Sequence, residues 1–307
     1  MNKNNNIWDK KLEARKLRGQ INQEDLNQFK SLKFNNLIIM LSNKDSQKRT
    51  IAGTLLSNDL LNDLLNDIDK EYVITSLANS FKEEKALYSR IAISESLASY
   101  GELAVPYLIN LLGEIGNNQE KELPKKYFNK KSFPLPRDLA SRTLANIGDI
   151  ATPYLIDVLN DNGNCITNFK KEQALDSIGA IAYKYNDHRA YTSINDLFIK
   201  TTSSEDIGEE YKKIIVWKIT RSLSGFKNNK NALNLVIDIL NKFNNVNEIQ
   251  WEAIRSIGQI GIVNNDVKII LNDFDNIVSN SVNNINCSLD SQIKLALKVS
   301  KDSLGIF

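Results

Sequence analysis

The chain has 307 residues, of which 42% are hydrophobic and 25% charged, a balance typical of a folded protein rather than a disordered one. Its 39 basic and 37 acidic side chains leave a formal charge of +2, which excludes a global field that would draw the whole molecule onto nucleic acid or an anionic membrane. Any electrostatic recognition must therefore be local.

The first residues contain no apolar signal core, and the longest aliphatic run, near 37–41, is far too short to cross a bilayer. Cys165 and Cys287 lie far apart and show no metal-binding spacing. Both observations predict a cytoplasmic protein with buried thiols and no membrane association. A helix is predicted near 7–17, within a polar N-terminal helical cap over residues 1–22.

An apolar stripe and an acidic stripe share the next segment. Leucines and isoleucines stand on one side of a predicted helix, and Asp59, Asp63 and Asp67 stand on the other. The acidic stripe has no ion-binding loop geometry, so we interpret it as a solvated helix face rather than a cation site.

An internal repeat follows. Residues 94–112 and 141–159 agree at ten of nineteen positions with an offset of 47. Each copy predicts a helix that ends at a glycine (Gly101, Gly148), a short turn, and a second helix with a proline in its first turn (Pro106, Pro153). This chain therefore contains helical hairpins in tandem.

The pattern resembles the HEAT repeat of the armadillo-type helical superfamily, in particular the shorter repeats of phycobilisome-lyase-type HEAT-like proteins. The residues that carry the resemblance lie within 86–160: Arg90 and Arg137, eleven residues before the two glycines, with Ala92 and Ala140 nearby. The resemblance implies a superhelix of stacked hairpins whose concave face holds a partner.

Degenerate copies continue to the C-terminal end. Ile178-Gly179 and Ile257-Gly258 repeat the helix ending, and a Trp-x-x-x-Arg-Ser pattern recurs at Trp217 and Trp251, 34 residues apart. No stretch shows the alternation of a strand. We predict one all-α domain over 1–307, a right-handed α-solenoid of about six or seven hairpins.

The segment between the two best repeats, 113–137, has an unusual composition. Three of the five prolines lie there, which predicts an extended course instead of a helix. The residues predicted to bind a partner, which would be an acidic protein or a phosphate-bearing surface, are Lys125, Lys126, Tyr127, Phe128, Lys130, Lys131, Phe133 and Arg137. The alternative is a solvated spacer that contributes little to the core.

Few residues suit catalysis. The lone histidine, His188, is predicted to be an exposed turn residue, because no nucleophile or second ligand accompanies it. Phosphate-binding glycine motifs are absent as well. The sequence thus offers no catalytic residue, cofactor site or metal site, and favours a protein that is not an enzyme.

Trp217 and Trp251, each followed by an arginine four residues later, are the remaining candidates for a nucleic-acid groove. Because they precede the repeat turn, we interpret them as packing between repeats. Two alternatives stay open through the resemblance: a DNA-repair protein like the HEAT-like alkylpurine glycosylases, and a phycobilisome-type lyase. Neither family's functional residues can be placed on this chain.

The leading hypothesis is a non-catalytic scaffold or adaptor that binds a protein partner through the concave face, formed by second helices such as 104–112 and 151–159, or through segment 113–137. Nucleic acid is the disfavoured partner, since a near-neutral chain neutralises few phosphates. The sequence leaves the partner's identity and the oligomeric state open.

Overall fold

The computed structural model describes residues 3–61, 65–126, 128, 130–161, 168–205, 207–280 and 287–306, with the main chain alone for 3–9, 58, 168, 278–280 and 287–290. Every regular element in these residues is helical. The chain forms two compact units, residues 1–117 and residues 118–307. A single array continuous across residue 117 stays a prediction.

The described residues of unit 1 (residues 1–117) form eight α-helices: α1 Lys3–Leu17, α2 Gln23–Asn27, α3 Phe34–Met40, α4 Ser46–Leu55, α5 Asn58–Leu61, α6 Asp67–Glu83, α7 Leu87–Ser99 and α8 Val105–Asn110. Helix α4 packs on α7, and α6 packs on both α7 and α8. Helices α4 and α7 thus pack together in one layer, and α6 lies against the two helices that follow it.

The sequence analysis placed the acidic stripe of unit 1 on one continuous helix, and this prediction is wrong. Asn66 has an extended main chain and caps α6 by accepting a hydrogen bond from the Asp69 amide. Asp59 therefore belongs to α5 and Asp67 to the first turn of α6, while Asp63 lies outside the described residues. A strong N-cap ended the helix pattern that the leucines alone would have extended.

Unit 2 (residues 118–307) contains nine α-helices in its described residues: α9 Leu139–Ile147, α10 Thr152–Asn160, α11 Asn168–Tyr185, α12 Tyr191–Ser203, α13 Glu209–Leu223, α14 Lys230–Lys242, α15 Asn247–Ile260, α16 Asn265–Asn280 and α17 Cys287–Leu304. Helix α10 packs on α11, α12 on α13, α14 on α15, and α16 on α17, so each second helix lies against the next first helix. This serial packing of helices confirms the all-α solenoid architecture.

The first helices of unit 2 form a continuous layer, because α9 contacts α11, α11 contacts α13, α13 contacts α15, and α15 contacts α17. We call α9, α11, α13, α15 and α17 the first-helix layer of unit 2. Its members bury aliphatic residues such as Ile178, Ile219 and Ile257 between the hairpins. No described helix of the chain is long and apolar enough to cross a membrane.

Both repeat glycines have a positive φ, as expected for a glycine that follows a helix, but Gly148, with a ψ of −150°, is not in the left-handed helical conformation. Gly101 has a φ of 55° and Gly148 a φ of 96°. At Gly148 a side chain would also collide with Tyr185, whose ring would lie 2.8 Å from an added Cβ, whereas the space beside Gly101 is open. The same turn is therefore more constrained in unit 2 than in unit 1.

Candidate functional site

One polar stripe runs across the first-helix layer of unit 2. Its members occupy the positions three and six residues before Gly179 and Gly258, matched in α13 through the Trp-x-x-x-Arg-Ser pattern: Gln173, Asp176, Lys218, Arg221, Glu252 and Arg255. The prediction that these two glycines end their helices is wrong, because Gly179 lies inside α11 and Gly258 inside α15. Each residue of the stripe is at most 9% exposed. Charged residues are seldom buried so deeply unless something pairs with them, so the material that covers this stripe defines the site.

The material that covers the stripe is residues 118–137, which we call the cover segment. It contains no helix or strand in its described residues, in agreement with the proline-based prediction. Its two ends lie together, because Gln119 donates a side-chain hydrogen bond of 3.1 Å to Asp138, the N-cap of α9. The segment is thus a closed loop laid over the helices of its own unit.

Glu120 anchors the start of the cover segment. Its carboxylate lies 2.8 Å from Lys218 Nζ, 3.3 Å from Arg221 Nη1 and 3.0 Å from Arg137 Nε. Lys218 is fully buried and also pairs with Asp176 of α11. One carboxylate of the segment therefore ties together cations from α13 and from the segment's own far end.

Burial and charge act in opposite directions on these carboxyl groups. Burial by itself would raise the pKa of Glu120, but the cations Lys218 and Arg221 lower that pKa to about 2. Burial raises the pKa of Asp176 despite its contact with Lys218. Burial also raises the pKa of Glu172 to about 7, and the neighbouring Asp176 adds to the rise. Glu120 is thus charged at neutral pH, as an anchor for two buried cations must be.

Aromatic rings anchor the return path of the cover segment. Phe133 is 9% exposed, and its ring centroid lies 5.8 Å from that of Tyr183 on α11. The ring fits because residue 179 is glycine: a Cβ there would lie 2.5 Å from Phe133 Cζ. Phe128 is half-buried, with the Arg255 guanidinium 5.1 Å from its ring centroid.

Side chains of the first helices also hold the main chain of the cover segment. Arg255 Nη2 donates to the Ser132 carbonyl at 3.2 Å, and Gln259 Nε2 donates to the Lys131 carbonyl at 2.7 Å. Arg142 of α9 donates two hydrogen bonds, at 3.1 and 2.8 Å, to the Pro136 carbonyl. Contacts of this kind fix an extended chain by its carbonyl groups.

The lysines of the cover segment have the opposite placement. Lys121, Lys125, Lys126, Lys130 and Lys131 are all exposed. Arg137 is exposed too, although it pairs with Glu120. Tyr127 lies outside the described residues. Of the residues predicted to bind a partner, the structure therefore brings the cations to the surface and turns Phe133 inward.

The expectation that the segment contributes little to the core is wrong for Phe133, Pro134 and Pro136, all of which are buried. Phe133 closes the gap over Gly179. Whether the eight predicted residues bind a partner stays a prediction.

The tryptophans are packing residues, as predicted. Trp217 is fully buried and Trp251 is 2% exposed, and the Arg221 guanidinium lies 4.0 Å from the Trp217 ring centroid.

His188 lies in the turn between α11 and α12, as predicted. It is half-buried rather than exposed, because its ring stacks on the Phe226 ring with the centroids 5.2 Å apart. Among the described residues, no group of three or more acidic, His or Cys side chains could hold a metal ion.

Sequence analysis missed the polar stripe and Glu120. Part of the stripe is visible in the sequence, because Lys218 follows Trp217 and Glu252 follows Trp251 in the repeated pattern. A recurring charged residue of this kind is ordinarily interpreted as part of an exposed helix face. Nothing in the local pattern shows that a loop 98 residues away in sequence covers Lys218.

Comparison with known proteins adds little to this geometry. No family model and no curated protein matches the chain. One solved structure with similarity is the designed armadillo repeat protein YIII(Dq.V1)4CPAF in complex with the peptide (KR)4, at 14% sequence identity and a TM-score of 0.34, covering 88% of this chain and all of that one. Likeness at that level carries no argument about function.

Proposed function

We propose that the protein is a non-catalytic binding scaffold whose cover segment holds an acidic stretch of a protein partner. The observation that supports the proposal is the division of that segment into buried anchors and exposed lysines. Glu120 and Phe133 fix it to the first-helix layer, while five lysines face solvent. A cationic surface presented by a fixed segment loses little conformational entropy on binding.

Local charge favours an anionic partner even though the whole chain is near neutral. The cover segment carries six basic residues against two acidic ones, and one of the acidic residues, Glu120, is already paired within the unit. Exposed lysines steer an acidic partner and set the salt dependence of the encounter. The attraction is thus confined to one side of unit 2.

A protein partner is favoured over nucleic acid by the position of the aromatic side chains. Single-stranded nucleic acid needs exposed rings on which bases can stack. Trp217 and Trp251 are buried, and Phe133 is buried as well. For the glycosylase-like and lyase-like alternatives, no described residue supplies the chemistry.

The test is charge reversal of Lys125, Lys126, Lys130 and Lys131 to glutamate. A matched control reverses four exposed lysines of unit 1, namely Lys44, Lys48, Lys82 and Lys85. Binding of a fluorescent polyglutamate peptide, and of nuclease-treated cell extract proteins, is measured at low and at physiological salt. The cover-segment variant should lose binding and the control should keep it, with both melting temperatures nearly unchanged.

Equal binding by the wild-type protein and the cover-segment variant would contradict the proposal. The partner would then have to bind elsewhere, and the second helices such as α8 and α10, the other surface predicted from the sequence, would be the next to mutate. Loss of the captured proteins on nuclease treatment alone would identify nucleic acid as the ligand.

A further inference from the structure

The surface beneath the cover segment is polar, unlike a hydrophobic core. Lys218, Arg221 and Arg255 contact the segment, and Asp176 pairs with Lys218 beside them. A helix face of this composition is soluble by itself. Removing the segment would hydrate the charges of the polar stripe.

Few main-chain bonds hold the cover segment in place. Among the described residues from 120 to 137, no main-chain group is hydrogen bonded to another main-chain group. The segment is instead held by side-chain donors from the helices and by its own Glu120, Phe128 and Phe133. A segment held in this way can open locally without breaking any hydrogen bond of the helices.

The contacts also define a recognition pattern. Lys218 and Arg221 bind the Glu120 carboxylate, the Phe133 ring fits above Gly179, and the Phe128 ring lies beside Arg255. Between these points, Arg255 and Gln259 bind carbonyl oxygens, which every residue type supplies. The surface is therefore selective at three positions and tolerant elsewhere, as a peptide site is.

We propose that this surface, which we call the unit 2 groove, is a peptide-binding site filled in cis by the cover segment. Its occupant in trans is an extended segment of another protein that carries a carboxylate and two aromatic rings with the spacing of Glu120, Phe128 and Phe133. The proposal does not depend on the lysine surface, because the groove lies under the segment and the lysines lie on its outer side.

Competition between the two occupants follows from simple linkage. The apparent affinity for the trans peptide is the intrinsic affinity multiplied by the fraction of molecules whose groove is open. A tethered cis occupant has a high effective concentration, so that fraction is small in the wild-type chain. Weakening the cis occupant must therefore strengthen trans binding, which is the opposite of what damage to a structural loop would do.

The experiment uses the full chain and a fluorescent synthetic peptide with the sequence of residues 118–137. The release variant combines Phe128→Ser with Phe133→Ser, and its matched control combines Lys125→Ser with Lys126→Ser in the same segment. Anisotropy titrations should show that the peptide binds the release variant at least about ten-fold more tightly than the wild-type chain or the control. A peptide with Glu120→Gln and Phe133→Ser should bind at least about ten-fold more weakly than the unaltered peptide.

A release variant that keeps its helical circular dichroism and cooperative melting but binds no peptide would overturn the proposal. If that variant does not fold, the full chain carrying a specific protease site after Lys126 replaces it, since a single cut frees the segment without altering its anchors. The same anisotropy titration of the cleaved chain then tests whether the groove binds the peptide. Dimer formation by the wild-type chain through exchange of its cover segment would assign the groove to a second copy, against a different protein.

Discussion

The first helices of unit 1 and unit 2 bear the same repeat position in opposite environments. In α7 of unit 1, Glu95 lies six residues before the repeat glycine and is exposed, with Ile91 one turn earlier 44% exposed. In α15 of unit 2, Glu252 lies at the matching position and is 1% exposed. Unit 1 thus leaves both Glu95 and the apolar Ile91 exposed to solvent, whereas unit 2 buries the charged Glu252.

The difference shows that a repeat position does not have a fixed environment. Unit 2 can bury Lys218, Arg221 and Arg255 because an inserted segment supplies Glu120, carbonyl groups and aromatic rings. Burying a charge is costly unless its partners are in place, so the insertion and the polar stripe depend on each other.

The largest expected effect comes from removing the buried cation. Lys218→Met leaves Glu120 and Asp176 without their shared partner in a buried site, which should cost about 3–5 kcal/mol of unfolding free energy. Arg49→Met is the control in unit 1: the Arg49 side chain is 19% exposed, and Glu84 keeps hydrogen bonds from two main-chain amides, so about 1 kcal/mol is expected. Urea unfolding measures both, and equal losses would contradict the contrast between the units.

A smaller effect separates the two repeat glycines. Gly148→Val combines a positive φ with a collision against Tyr185, and should destabilise by about 2–3 kcal/mol. Gly101→Val has the same type of φ but open space beside it, so only about 1 kcal/mol is expected. If thermal melting gives the same shift for both, the contact with Tyr185 is not a constraint in solution.

The smallest effect is a pH dependence. The raised pKa of Glu172, about 7 against an ordinary 4.5, means that its contribution to stability is present below pH 4.5 and is lost as the pH rises through 7. Glu172→Gln cannot titrate, so the variant should gain on the order of 1 kcal/mol relative to wild type between pH 5 and pH 8. Urea unfolding at a series of pH values measures the difference, and a flat difference for Glu172→Gln would refute buried protonation.

Local patterns predicted the helices well because each hairpin carries its own signals. The glycine, the proline and the aliphatic period lie within one repeat, so no distant contact is needed to interpret Gly148 or Pro153. The segment with three prolines was recognised as non-helical for the same reason. The prediction failed at 59–67, where Asn66 caps a new helix inside a pattern that looked continuous.

The sequence by itself determined an all-α protein of tandem hairpins and pointed to the segment at 113–137. Only the tertiary structure decided which residues of that segment face inward, because Glu120 and Phe133 acquire their roles from Lys218 and Gly179, which are far away along the chain. Burial and charge pairing depend on neighbours that folding brings together. A periodic pattern of apolar residues predicts a helix, but it does not predict which distant segment packs against that helix.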